Sequence, residues 1–149
     1  MCMPFQVKAY AEADFSDTDK EIIMNLDLLL KASEKHIDKN SLILDLGCGP
    51  GNISERIALN WPCANTLGID GSLEMIEVAK RRKNVLSEKF SLKRLSYLHS
   101  NISLLSSRDF CLDSLAEIVV SNSLLHHIHH PKTFWNAIKN VSAKGAIQY

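Results

Sequence analysis

The sequence predicts an α/β fold: a doubly wound, mainly parallel sheet with helices on both faces. Three observations lead there. Short apolar runs of strand length recur from residue 42 onward, and helix-length amphipathic stretches separate them. The first run, Leu42–Leu46, ends in a glycine cluster, as a buried strand does where it turns into a helix. The connections are short, which suits strand–helix–strand units better than segregated layers.

The elements follow in order. Thr18 and Glu21 have capping-box spacing, and Ile22, Leu26 and Leu29 with Ile23 and Leu30 form an apolar stripe behind them, so a helix comes first. Leu42–Leu46 (LILDL) is the first strand. Residues 53–59 place Ile53 and Ile57 four apart and read as a helix, stopped by Trp61-Pro62. Residues 66–69 make a second strand that ends at Asp70-Gly71. Ser72 caps the next helix, with Met75, Ile76 and Ala79 on one face. Glu74 and Glu77 suit its positive end, and Lys80, Arg81, Arg82 and Lys83 its negative end. Residues 84–94 carry no clear period. Residues 95–99 alternate as a third strand, and 116–121 form a fourth with a β-branched centre. Pro131 opens a helix with Phe134, Ala137, Ile138 and Val141 on its inner face. Lys144-Gly145 closes it, and residues 146–149 begin a fifth strand. Residues 1–40 thus form an N-terminal segment and helix, and 41–149 the α/β unit, in one compact domain.

Composition sets the outer bounds. A chain of 149 residues with 46% apolar and 23% charged side chains fits one globular domain. Lys plus Arg is 17 and Asp plus Glu is 17, so no net field draws the protein to nucleic acid or an anionic membrane. No apolar run approaches the roughly 18 residues of a membrane span. The N-terminus lacks the cationic start and apolar stretch of a secretory signal. Cys2, Cys48, Cys63 and Cys111 form no C-x-x-C pair, so a reduced, cytoplasmic setting is expected.

The sharpest feature is ILDLGCGPGN, residues 43–52. Glycines let the backbone turn sharply and let a ligand approach without a Cβ in the way. In an open parallel sheet this is the carboxyl edge of a strand, where ligands settle. A dinucleotide fingerprint needs G-x-G-x-x-G, but Gly47 and Gly49 are followed by Asn52 at the third glycine position. A nucleotide-cofactor oxidoreductase is therefore disfavoured. Asp45 would repel a pyrophosphate but accept hydrogen bonds from a cationic amine. Asp70, after the second strand, can take both hydroxyls of a ribose and would repel a phosphorylated one. An amino acid joined to adenosine without phosphates satisfies both acids, and S-adenosylmethionine is that molecule.

On these residues the chain resembles the class I S-adenosylmethionine-dependent methyltransferases over nearly its whole length. ILDLGCGPGN is similar to their first motif and GIDGSLEMIEVAK, residues 68–80, to their second. SNSLLHHIHHP, residues 121–131, and AYAEADFSDTD, residues 9–19, are similar to segments of a small-molecule subgroup. The resemblance implies a Rossmann-like sheet of order 3-2-1-4-5 and methyl transfer to a small-molecule acceptor. It places Asp45, Gly47, Gly49 and Gly51 around the methionine part and Asp70 on the ribose. Gly71 and Met75 would lie beside the adenine, with Asn101-Ile102 at its edge, although an acid is common where Asn101 stands. Asn122 falls at the mouth between cofactor and acceptor.

The remaining features are less specific. Four of six histidines fall in residues 126–130, and His126 or His127, nearest the strand end, is the candidate base, since imidazole titrates near neutrality. No acid or cysteine lies within the cluster, so no metal is expected. Tyr10 and Phe15 are candidate lid residues whose ring faces favour a sulfonium cation. Residues 80–94 hold seven basic side chains against Glu88, which helix-end cations and a solvated loop explain better than a nucleic-acid surface. The final KGAIQY starts a strand that lacks the antiparallel hairpin the resemblance would add, leaving an exposed edge. The alternative function is accordingly a truncated, non-catalytic cofactor-binding module that associates, as a homodimer for example, through that edge.

Overall fold

The structure, a computed structural model, describes residues 16–105, 115–122, 124 and 127–149. The lid candidates Tyr10 and Phe15 and the base candidate His126 lie outside the described residues. Helix α1 (Ser16–Ala32) leads into strand β1 (Leu42–Leu46), helix α2 (Asn52–Asn60) and strand β2 (Asn65–Asp70). Helix α3 (Leu73–Leu86), strand β3 (Leu95–His99) and a 3-10 turn (Ile102–Leu104) follow. Strand β4 (Ala116–Val120), helix α4 (Pro131–Val141) and strand β5 (Ser142–Gln148) complete the order. The five strands form one parallel sheet, β3-β2-β1-β4-β5, with β3 and β5 at its edges. The sequence order 3-2-1-4-5 therefore holds.

Strand alternation divides the core. Leu42, Leu44 and Leu46 of β1 with Leu67 and Ile69 of β2 pack on Phe134, Ala137, Ile138 and Val141 of α4. Ile43, one residue out of phase, packs on the other face with Ile22, Leu26 and Leu30 of α1 and Ile53 and Ile57 of α2. Cys48, Ala58 of α2, Ile76 and Ala79 of α3, and Leu95 and Tyr97 of β3 continue that second face. Helices α1, α2 and α3 thus cover one side and α4 with the 3-10 turn the other. Helix α1 shares its cluster with β1 and β4, so the N-terminal helix and the α/β unit have a common core. Among the described residues no helix is long and apolar enough to cross a membrane.

Three sequence expectations are corrected. Helix α1 begins at Ser16, so Thr18 lies inside its first turn and does not cap it; Asp17 and Asp19 supply the negative charge that the helix start favours. Leu29 is 41% exposed, and the buried stripe is Asp19, Ile22, Leu26 and Leu30. Gly145 does not close α4. Ser142 does so in an extended conformation, its hydroxyl donating to the Ile138 carbonyl at 2.7 Å, and β5 starts there. Gly145, at φ +73°, instead sits within the irregular stretch of β5 where the pairing jumps from Ala116↔Ser142 to Ile118↔Ile147.

One glycine in a strand has a packing reason. A Cβ on Gly68 of β2 would lie 2.7 Å from Tyr97 Cδ1 and 2.8 Å from Ser54 Oγ. Both neighbours are buried. Gly68→Ala is expected to destabilise the protein by about 1–3 kcal/mol through overpacking. A lower urea midpoint at unchanged slope would show it.

Candidate functional site

The carboxyl ends of β1, β2, β3 and β4 meet along one edge of the sheet. Register aligns Asp45 of β1 with Gly68 of β2 and Val120 of β4, and Asp70 of β2 with His99 of β3. The bend after β1 continues the ladder: the N–H groups of Gly47 and Cys48 both donate to the Ile69 carbonyl, at 2.8 and 3.0 Å. Gly47, Gly49 and Gly51 have φ of +72°, +53° and +91°, a backbone path that residues with a Cβ rarely take. Gly51 then caps α2, and its carbonyl receives the Glu55 N–H at 2.9 Å.

Asp70 ties the bend to β2. One carboxylate oxygen accepts the Gly49 N–H at 2.9 Å and the other accepts the Ser72 N–H at 2.8 Å. Each oxygen keeps a second acceptor site. Ser72 in turn caps α3, its hydroxyl accepting the Met75 N–H at 3.3 Å. Asp45 lies beneath the bend and is only 1% exposed, with the Ser54 hydroxyl donating to it at 2.5 Å. Burial pushes its carboxyl up to about 7, against the opposing pull of the Ser54 hydrogen bond; the nearby Asp70 charge adds to the rise. Asn52, the first residue of α2, adds a buried Oδ1 with no hydrogen-bond partner among the described residues.

The other sequence-chosen residues fall as follows. Gly71 is exposed, and among the described residues a Cβ there would meet only the Ser100 carbonyl, at 4.0 Å. Met75 is buried at the start of α3. The side-chain oxygen of Asn101 accepts the Ser103 N–H at 3.1 Å and caps the 3-10 turn. The Ile102 side chain belongs to the core on the α4 side, and its N–H heads a turn with no intrahelical partner for it. Asn122 is half-buried two residues past Val120. His127 is exposed and its backbone N–H donates to the Leu124 carbonyl at 2.9 Å. Sequence reasoning assigned no role to Ser54, Asn52, Leu124, Tyr97 or His99. Leu124 packs so closely that a Cβ on Gly47 would lie 2.9 Å from its Cδ1. His99 Nε2 stands 3.1 Å from the Gly71 carbonyl, joining the ends of β2 and β3 alongside the Ser100 N–H to Asp70 carbonyl bond at 3.0 Å. A glycine inside a strand was the one signal that pointed toward Tyr97.

The site therefore offers acceptors. They are the half-buried Asp70 carboxylate, the buried Asp45 carboxyl and the buried Asn52 Oδ1. An open parallel sheet of order β3-β2-β1-β4-β5 with a glycine bend after β1 and an acid after β2 places the chain among the doubly wound α/β proteins, whose ligands bind at the carboxyl ends of the strands.

Comparison with known proteins narrows the class. Residues 37–148 match the family model described as a methyltransferase domain. The chain is 29% identical over 130 residues to malonyl-[acyl-carrier protein] O-methyltransferase of Bacillus anthracis, covering 83% of this chain and 46% of the relative. It is 34% identical over 86 residues to trans-aconitate 2-methyltransferase of Pseudomonas aeruginosa, covering 58% of this chain and 26% of the relative. A crystal structure of an S-adenosylmethionine-dependent methyltransferase from Aquifex aeolicus superposes with a TM-score of 0.69 at 18% identity, over 95% of this chain and 68% of that one. The chain belongs to the methyltransferase-domain family, and its fold is that of S-adenosylmethionine-dependent methyltransferases. It spans less than half the length of the curated relatives it matches.

Proposed function

We propose that the protein transfers the methyl group of S-adenosylmethionine to a small-molecule carboxylate. The observation that carries the cofactor half is the Asp70 carboxylate, fixed by Gly49 and Ser72 at the open end of β2 with acceptor capacity to spare. In this reading Asp70 holds the ribose hydroxyls, Asp45 and Asn52 face the ammonium end, and Gly71 and Met75 flank the adenine. Asn101 and Ile102 border the adenine edge, and the glycine bend of Gly47, Gly49 and Gly51 admits the methionine chain. The names of the two curated relatives support the acceptor half, since malonyl and aconitate groups both carry carboxylates. When bound, the cofactor would supply a sulfonium-bound methyl for a C–O bond to the acceptor oxygen, with S-adenosylhomocysteine as the leaving group.

A carboxylate at neutral pH has no proton to lose, so the step asks for positioning more than for a base. Asn122 then orients the acceptor and His127 contributes to the mouth of the site. The test incubates the protein with S-adenosylmethionine and a panel of di- and tricarboxylic acids, reading methyl esters and S-adenosylhomocysteine by mass spectrometry. Ester formation with at least one acid is expected, with kcat falling about tenfold in Asn122→Ala while cofactor affinity holds. Cofactor binding without any ester would reject the acceptor class.

The pH dependence of cofactor binding follows from Asp45. Its free-protein carboxyl titrates near 7, and a bound cation favours the ionised form. Below that value a proton must leave before the cation gains its partner. Affinity for S-adenosylmethionine is expected to fall about tenfold from pH 8 to pH 6, and Asp45→Asn should flatten the curve. For the free protein the sign is opposite. The unfolded carboxyl ionises near 3.8, so stability present below that value is lost as pH rises through about 7. Calorimetric titrations at fixed ionic strength, paired with urea melts, check both.

A further inference from the structure

A groove of about 470 Å³ lies on the α2–α3 surface, apart from the cofactor edge, in the size range of small-ligand sites. Val78, Val85 and Leu86 of α3 line it with apolar surface, and Val85 is left 67% exposed. Three cations and one acid share the lining: Arg81, Arg82, Lys89 and Glu55. Arg82 is committed, its Nε and Nη2 donating to the two oxygens of Glu55 at 3.1 and 2.9 Å. That hydrogen bonding holds the Arg82 guanidinium above its ordinary value, so this pair stays charged and cancels. Arg81 and Lys89 have no ion-pair partner among the described residues.

Two uncompensated cations beside aliphatic walls define a narrow ligand chemistry. A phosphodiester backbone would use the cations and leave the walls idle, since phosphate contacts are polar. A neutral hydrocarbon would use the walls and leave the charges unanswered. We propose that the groove binds an aliphatic carboxylate, with its head on Arg81 and Lys89 and its chain against Val78, Val85 and Leu86. The proposal is independent of the methyl-transfer reading, because none of these side chains belongs to the cofactor edge.

The test titrates decanoate into the full chain saturated with S-adenosylhomocysteine, followed by calorimetry. Saturable binding is expected, at least tenfold weaker in Arg81→Ala/Lys89→Ala and weaker for 1-decanol than for decanoate. Asn122→Ala should leave decanoate affinity unchanged, which separates the groove from the acceptor mouth. Arg81 and Lys89 are exposed, so the double variant should keep its thermal midpoint. Val85→Ser provides a second variant and should weaken binding about threefold. Equal affinity in the wild type and the double variant, loss of binding in Asn122→Ala, or no saturable binding would each overturn the proposal.

Discussion

Asp70→Ala is expected to weaken S-adenosylmethionine binding about 100-fold, close to 3 kcal/mol. Two losses combine. The ribose hydroxyls lose a charged acceptor, and hydrogen bonds to an ionised group are worth about 1.5–3 kcal/mol each. The N–H groups of Gly49 and Ser72 also lose the carboxylate that holds them, at 2.9 and 2.8 Å, so the bend and the start of α3 loosen together. Asp70→Asn should fall between the two, because the amide oxygen can keep one N–H but not both. Calorimetric titration of all three proteins makes the comparison. Equal affinities would remove the ribose from the end of β2.

Gly51→Ala should be the more damaging change to the molecule itself. At φ +91° an alanine is strained, by about 1–2 kcal/mol. Its Cβ would also collide with the Tyr97 hydroxyl and come within 3.0 Å of Tyr97 Cζ and 3.1 Å of Ala79 Cβ. The expected cost is about 2–4 kcal/mol of stability, with cofactor affinity down more than tenfold as the cap of α2 shifts. The double variant Gly51→Ala/Tyr97→Phe should recover part of both, because it deletes the atom of closest approach and leaves the dihedral strain. Urea denaturation and cofactor titration of the four-protein cycle separate the two contributions. A double variant no better than the single one would show that the hydroxyl is not what fixes the bend.

The sheet was legible in the sequence because its strands are short apolar runs whose neighbours in space are also neighbours in pattern. The site was half legible. Glycine spacing and the two acids are local signals, and local chemistry explains them. Ser54 donating to Asp45, and Tyr97 beneath Gly51, depend on how α2 and β3 stack on β1, which no window of sequence contains. Asn52 shows the difference. It was visible only as a departure from the dinucleotide pattern, whereas folding reveals a buried oxygen with no donor among the described residues. The misplaced ends have similar causes. Thr18 and Glu21 imitate a cap, but Thr18 lies inside the first turn of a helix whose start is already acidic. Gly145 imitates a helix terminator, but the Ser142 hydroxyl had already satisfied the last turn.

The paired bonds from Gly47 and Cys48 to the single Ile69 carbonyl have a thermodynamic consequence. They tie the glycine bend to the end of β2, so its path is set as the sheet forms. Within the bend little ordering is then left for the moment of association, so its share of the affinity depends on charge and shape matching. Such a cradle would discriminate among nucleosides by complementarity alone, like a casting mould that accepts only its own pattern.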